Sequence, residues 1–194
     1  MSLMAIAVHS GYGHTLRLAQ ALRDGAASVT GTRVEVIDVG AIGERDWELL
    51  AQADAIVFGS PTYMGGPSGV FKTFADASSK AWFSQLWKDK LAGGFTCSLA
   101  MSGDKYSTLM YFVTLAMQHG MVWVGTAMMP SAIAGAPDQV NRIGSSIGVM
   151  AQADNLPPEQ TPPQGDLDTA RAYGERIARF ARERARQSGA GPGG

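Results

Sequence analysis

Residues 9–15, with the sequence HSGYGHT, combine small, hydroxyl and imidazole side chains in a single turn. An apolar run, residues 3–8, precedes this turn, and a helical pattern begins at Thr15. The first N–H groups of a helix lack partners, and the helix dipole adds partial positive charge, so such a turn can bind phosphate. Gly11 and Gly13 would let the backbone approach an anion. The candidate hydrogen-bond donors are Ser10, His14 and Thr15.

The same turn has an alternative interpretation as a tight strand-to-helix connection with Thr15 as a helix cap. Two other phosphate motifs are excluded. A nucleoside-triphosphate loop requires a Gly-Lys pair, which residues 9–15 lack. A dinucleotide fingerprint requires a third glycine at the position that Leu16 holds. If the turn binds phosphate, a monophosphate is therefore the better candidate.

Two further loops carry residues suited to a flat ligand. In GSPTYMGGP, residues 59–67, prolines and glycines predict a stiff turn from which Tyr63 and Met64 project. An aromatic ring and a thioether at that place could flank a planar ring, although a plain loop over the core is the alternative. The third loop follows a strand predicted over residues 95–102 and continues into GDKYS.

Alternating strand and helix patterns must position these loops. Strands are predicted over residues 3–8, 32–39, 54–60, 95–102 and 120–125, and helices over 15–29, 45–53, 68–79, 107–119 and 167–187. This alternation predicts an α/β fold, a three-layer sandwich with a five-stranded parallel sheet. In such a sheet ligands bind at the carboxyl ends of the strands. Residues 126–166 show no clear period.

Composition narrows the function classes. The chain has 194 residues, 45% of them apolar, and a formal net charge of −1. We expect a single domain over residues 1–187 and a disordered tail over 188–194. Near-neutral charge argues against a nucleic-acid partner and a strongly acidic electron carrier. The single cysteine, Cys97, excludes an internal disulfide and suits a cytoplasmic location, and no apolar run is long enough to span a membrane.

The chain resembles the flavodoxin-like NAD(P)H-dependent FMN reductases, including WrbA-type NAD(P)H:quinone oxidoreductases. The resemblance is carried, in family order, by SGYGHT, GSPTYMGGPSGVFKTFAD, KDKLAGGF, LAMQHGMVWVG and TARAYGERIARFA. It implies a flavodoxin-like fold with strand order 2-1-3-4-5 and FMN as cofactor. It also implies NADPH or NADH as reductant and a homodimer or homotetramer.

The resemblance assigns FMN contacts to all three loops. The phosphate would be held by Ser10, Tyr12, Gly13, His14 and Thr15. The isoalloxazine would be lined by Pro61, Thr62, Tyr63, Met64 and Gly65. The ribityl chain and pyrimidine edge would be reached by Ala100, Met101, Ser102 and Gly103. Since the flavin would carry the chemistry, no catalytic residue is required, and the scattered histidines offer no metal-ligand spacing.

Two residues are candidates for assisting the flavin. Lys105 could stabilise the anionic reduced ring, and a solvated loop lysine is the alternative. The resemblance places His119 near a flavin, that of a neighbouring subunit included, whereas the alternative is a histidine facing the last helix carbonyls. The chain departs from WrbA-type sequences at Tyr63-Met64, which replaces Arg-Phe, and in a shorter third loop. These departures lie near the expected substrate face, so the acceptor is left open.

Three functions follow as hypotheses. The first is an FMN enzyme that uses NAD(P)H to reduce quinones or similar small acceptors. The alternatives are a flavodoxin-type one-electron carrier and a non-catalytic FMN-binding regulatory protein. The nearly all-apolar helix at 107–119 would lie either deeply covered or at a subunit contact.

Overall fold

A parallel sheet with helices on both faces forms the fold. The computed structural model describes residues 1–133 and 136–189, with side chains to 187. The strands are β1 (Ser2–Val8), β2 (Thr32–Asp38), β3 (Ala55–Tyr63), β4 (Gly66–Pro67), β5 (Leu91–Ser98), β6 (Val122–Trp123) and β7 (Val149–Gln152). The helices are α1 (His14–Ala27), α2 (Glu44–Gln52), α3 (Gly69–Ala77), α4 (Ser79–Phe83), α5 (Lys105–Gln118) and α6 (Gln164–Gly189).

The strand order is β2-β1-β3-β5-β6, which confirms the predicted flavodoxin-like arrangement. The order reverses between β1 and β3, so the carboxyl ends of these strands form the crevice where ligands bind in such sheets. β4 pairs antiparallel with the end of β3 and makes a short hairpin. Near-continuous burial of β1, β3 and β5 reflects helices on both faces.

The fifth position of the sheet is shared by two segments. β6 pairs with Leu91 and Ala92 at the start of β5, whereas β7 pairs with Phe95 through Ser98 at its end. Between them, the described residues 124–133 and 136–148 belong to no strand. The sequence-based interpretation of residues 126–166 missed β7, because four residues are too short for a clear period.

Two hydrophobic layers cover the sheet. One packs α1 and α6 on β1, β3 and β5, and includes Leu18, Phe95 and Tyr173. The other packs α2 to α5 on the opposite face around Phe58 and Trp87. In the first layer α1 and α6 approach closely, because a Cβ on Gly25 would lie 1.9 Å from the Arg171 carbonyl oxygen. A Cβ on Gly174 would likewise lie 2.0 Å from that of Leu22.

Several predicted boundaries were displaced. β5 begins at Leu91 and ends at Ser98 rather than covering 95–102, because the glycines at 93 and 94 belong to the strand and not to a linker. A Cβ on Gly93 would lie 2.6 Å from the Tyr173 hydroxyl, so packing explains this glycine. Helix α6 continues through Gly189, and the rest of the predicted disordered tail, 190–194, lies outside the described residues. No described helix is long and apolar enough to cross a membrane.

Candidate functional site

The turn from β1 into α1 presents a row of free amides. The backbone N–H groups of Gly11 through Thr15 donate to no acceptor in the described chain, and the first paired one is Leu16, 3.1 Å from Ser10 Oγ. Gly13 has a φ of 90°, which ends the turn and starts the helix. Five consecutive unpartnered N–H groups at the positive end of a helix form an anion site. Ser10 therefore contributes by shaping this turn.

The loop after β3 is a two-residue hairpin. Met64 and Gly65 form its tip with φ values of 47° and 78°, as in a type I′ turn. Tyr63 reaches back from this hairpin to the first turn, since a Cβ on Gly11 would lie 2.5 Å from the Tyr63 hydroxyl. Partial burial, with Tyr12 nearby, raises the pKa of Tyr63, so the phenol stays protonated. The first two loops therefore meet at Tyr63.

A threonine cluster anchors the base of the hairpin. Thr62 Oγ1 lies 2.8 Å from both Thr96 Oγ1 and Thr108 Oγ1. All three side chains are buried, and they join β3, β5 and α5. The Thr62 hydroxyl is therefore committed to the protein core, and only its backbone is available to a ligand.

The loop after β5 is held from beneath by a lysine. Lys105 Nζ donates to the carbonyl oxygens of Ala100 at 2.6 Å and Met101 at 3.0 Å. The side chain is fully buried, which contradicts the alternative of a solvated loop lysine. Burial lowers the pKa of this ammonium to about 8. Ala100, Met101 and Ser102 lie exposed above it, and Gly103 has a φ of 52°.

A proline-rich segment, residues 153–158, lies across the start of α1. His14 Nε2 lies 2.8 Å from the carbonyl oxygen of Leu156, and Arg17 donates to that of Pro158. Pro158 packs on the turn so closely that a Cβ on Gly13 would lie 2.9 Å from its Cγ. We call residues 153–158 the strap. His14 uses one ring nitrogen to hold the strap.

These elements enclose a cavity of about 410 Å³, within the range of small-molecule sites. Among the predicted site residues, it is lined by Tyr12, His14, Thr15, Pro61 and Tyr63. The walls that sequence reasoning missed are the end of β5 (Cys97, Ser98 and Leu99) and the strap. The other predicted contacts lie outside this lining, namely Ser10, Gly13, Thr62, Met64, Gly65 and the third-loop residues 100–103. The free amides and a planar aromatic wall fit a flat ligand with a terminal phosphate.

The strap could have been found from one sequence signal. Residues 147–152, IGVMAQ, are a short apolar run that is followed by polar residues and prolines, which is typical of a strand ending at a loop. Because β7 is parallel to β5, its carboxyl end lies at the same edge of the sheet as the other loops. The strap therefore follows from β7, the element that sequence analysis missed.

His119 lies away from this cavity. It follows α5 at the amino end of β5, the opposite edge of the sheet. Its Nε2 is 2.9 Å from Ser78 Oγ, and its ring packs 4.2 Å from Trp87, centroid to centroid. Burial lowers the pKa of His119 to about 4. The His119 ring therefore contacts Ser78, and not the last helix carbonyls that the alternative interpretation gave it.

Cys97 is a buried thiol in β5, and burial raises its pKa to about 12. It is therefore a protonated thiol in the cavity wall near neutral pH. Within the described ranges no group of three His, Cys, Asp or Glu side chains could hold a metal ion.

Comparisons with known proteins agree with this geometry. Residues 3–134 match the family described as NADPH-dependent FMN reductase. The chain is 42% identical over 184 residues to flavodoxin FldP of Pseudomonas aeruginosa, covering 94% of this chain and 98% of that protein. It is 32% identical over 207 residues to an NAD(P)H dehydrogenase (quinone) of Geotalea uraniireducens, covering 93% and 98%.

A solved structure gives the same result. The crystal structure described as the flavodoxin, WrbA-like protein from Agrobacterium tumefaciens superposes with a TM-score of 0.75 and 46% identity, covering 94% of this chain and 99% of that one. The fold, the site at the carboxyl ends of the strands and these matches lead to one assignment. The chain belongs to the NADPH-dependent FMN reductase family and has the flavodoxin-like fold of WrbA-type proteins.

Proposed function

We propose that the protein binds FMN in the cavity and uses NAD(P)H to reduce a quinone or a similar small acceptor. The observation that carries this proposal is the row of free amides from Gly11 to Thr15 at the cavity's edge. These amides would bind the FMN phosphate, with Ser10 supporting the turn. Pro61 and Tyr63 would flank the ring system, and the end of β5 would form the floor.

The remaining predicted contacts stay part of the proposal. Thr62 would contribute backbone atoms. Met64 and Gly65 would contribute the tip of the hairpin. The loop residues Ala100, Met101, Ser102 and Gly103 would reach the ligand from above the cavity. When bound, FMN supplies the two-electron transfer, and the protein positions its ring and admits the second substrate. The overall reaction converts NAD(P)H, a quinone and one proton into NAD(P)⁺ and the hydroquinone.

The relatives support two classes of function. The relative named an NAD(P)H dehydrogenase (quinone) favours the reductase. The relative named a flavodoxin, with higher identity, favours a one-electron carrier for protein partners. A carrier docks through complementary charge, and the net charge of −1 offers little of it. We therefore place the reductase first, with the carrier and a non-catalytic FMN-binding regulator as alternatives.

Anaerobic mixing separates these functions. The FMN-loaded protein is mixed with NADPH, or with NADH, while flavin absorbance is recorded. Rapid bleaching followed by recolouring with benzoquinone is the expected result for the reductase. A flavin that NAD(P)H does not bleach, but that dithionite does, would support the carrier or the regulator.

We also propose that the protein works as a homodimer or homotetramer. Most of α5 is covered within the chain, where Leu109, Phe112 and Leu115 are buried, but Met117 is half exposed. Trp82 and Phe83 in α4 are also exposed. A protein that elutes entirely as a monomer in size-exclusion chromatography at micromolar concentration would contradict this assembly.

In an oligomer, His119 would reach a flavin only across a subunit contact. Normal reductase kinetics of His119→Ala would exclude that role.

A further inference from the structure

A buried charged cluster lies beneath the third loop. It contains Lys105, Arg142 and Asp166, which are 0%, 7% and 1% exposed. Arg142 binds both carboxylate oxygens of Asp166, Nε to Oδ1 at 2.7 Å and Nη2 to Oδ2 at 3.0 Å. The backbone N–H of Gln152 also donates to Asp166 Oδ2 at 2.9 Å. The carboxylate of this cluster is therefore already engaged by a guanidinium.

Lys105 has a different set of partners. Its ammonium donates to two neutral carbonyl groups, those of Ala100 and Met101. In the described parts of the chain no carboxylate oxygen lies within the 4.0 Å of an ion pair from this nitrogen. A charge buried with neutral partners keeps a strong field around it, because little water screens it.

This field reaches the cavity wall that the end of β5 forms. Lys105 Nζ lies 2.6 Å from the carbonyl oxygen of Ala100, the residue that follows Leu99 of the cavity lining. Cys97 also lines the cavity, and the charge of Lys105 acts on its thiol. Reduction of a neutral flavin ring by two electrons and one proton leaves one negative charge on the ring. A fixed cation nearby favours that charged product over the neutral oxidised form.

Resting on the proposed FMN binding, we propose that the Lys105 ammonium raises the reduction potential of FMN held in this cavity. Lys105 acts here as a positioning and charge-tuning residue, without contact to the reacting atoms. The effect is selective for the reduced state, so it differs from simple support of the loop.

The chain offers a matched control. Lys90 also donates its ammonium to two backbone carbonyls, those of Ala51 and Ala53, and burial lowers its pKa as well. It lies just before β5, whereas Lys105 lies beyond its other end. The eight residues of β5, a strand about 25 Å long, lie between the two. Lys90→Met therefore repeats the loss of a carbonyl-bound ammonium away from the cavity.

The test measures the two-electron midpoint potential of bound FMN in the wild type, Lys105→Met and Lys90→Met. We expect Lys105→Met to disfavour the reduced form about tenfold, a fall of about 30 mV, and Lys90→Met to match the wild type. An unchanged potential in Lys105→Met, or an equal fall in both variants, would overturn the proposal. If the wild type binds no FMN, the proposed function fails instead.

A pH series covers the case in which Lys105→Met does not fold. Groups facing Lys105 are Cys97 from β5, Asp166 from α6 and Arg142 from residues 124–148. Burial lowers the Lys105 pKa to about 8 in the oxidised protein. Negative charge on the ring would raise it, so reduction takes up an extra proton just above pH 8. The wild-type potential should steepen there. A constant slope from pH 7 to 10, or the same steepening in Lys105→Gln, would contradict the proposal.

Discussion

Gly13→Ala is the substitution that most sharply tests the anion turn. Gly13 has a φ of 90°, and an added Cβ would lie 2.9 Å from Pro158 Cγ. An L-residue in the left-handed region costs about 1–2 kcal/mol. Overpacking against the strap adds about 1–3 kcal/mol more. Because the same Cβ displaces the strap and the free amides, we expect FMN affinity to fall at least tenfold, or about 1.4 kcal/mol.

Gly31→Ala is the control for the backbone cost. Gly31 has a φ of 85° with nothing within 4 Å of an added Cβ, and it precedes β2 at the opposite edge of the sheet. It should lose only about 1–2 kcal/mol of folding stability and bind FMN normally. Urea unfolding gives the stability, and quenching of FMN fluorescence gives the affinity. Wild-type FMN affinity in Gly13→Ala would refute the assignment of the turn.

Three further predictions concern groups around the site. Thr62→Val should lower the free energy of unfolding by about 1–3 kcal/mol in urea denaturation, because it leaves two buried hydroxyls without their shared partner; a change below the error of the method would contradict this. Arg142→Met should lower the free energy of unfolding at pH 7 by about 3–5 kcal/mol in urea denaturation, because it leaves Asp166 buried without its guanidinium partner. The double variant Arg142→Met/Asp166→Leu should recover part of that loss, and no recovery would argue against the pair. Because burial lowers the folded-state pKa of His119 to about 4 from the unfolded value of about 6.5, protons bind preferentially to the unfolded chain as pH falls through that window. Stability should therefore drop by about 2 kcal/mol more between pH 7 and pH 5 in the wild type than in His119→Gln; parallel curves would place the imidazole in water.

The parallel strands and the first turn could be predicted because their signals are local, whereas the strand order was implied by the family resemblance. Continuous apolar runs identify buried parallel strands, and glycines with hydroxyl residues identify a strand-to-helix turn. The hairpin tip at Met64 and Gly65 was also predictable as a projecting turn. The boundaries of β5 were not, because the role of Gly93 depends on Tyr173, far away in the chain.

The strap and the charged cluster depend on contacts over long sequence separations. His14 meets Leu156 across 142 positions, and Arg142 meets Asp166 across 24. No periodicity reports such pairs in a single sequence. Lys105 illustrates the consequence, because its position beside the loop was visible from the sequence but its burial beneath the loop was not.

Titration of the purified protein, stripped of any bound flavin, with FMN tests the central claim most directly. Visible absorbance and fluorescence quenching are followed to saturation, with riboflavin as the comparison ligand that lacks the phosphate. If the amides of residues 11–15 bind the phosphate, FMN should bind at one per chain and riboflavin much more weakly. A protein that stays colourless after dialysis against excess FMN, or that binds both ligands equally, would contradict the account.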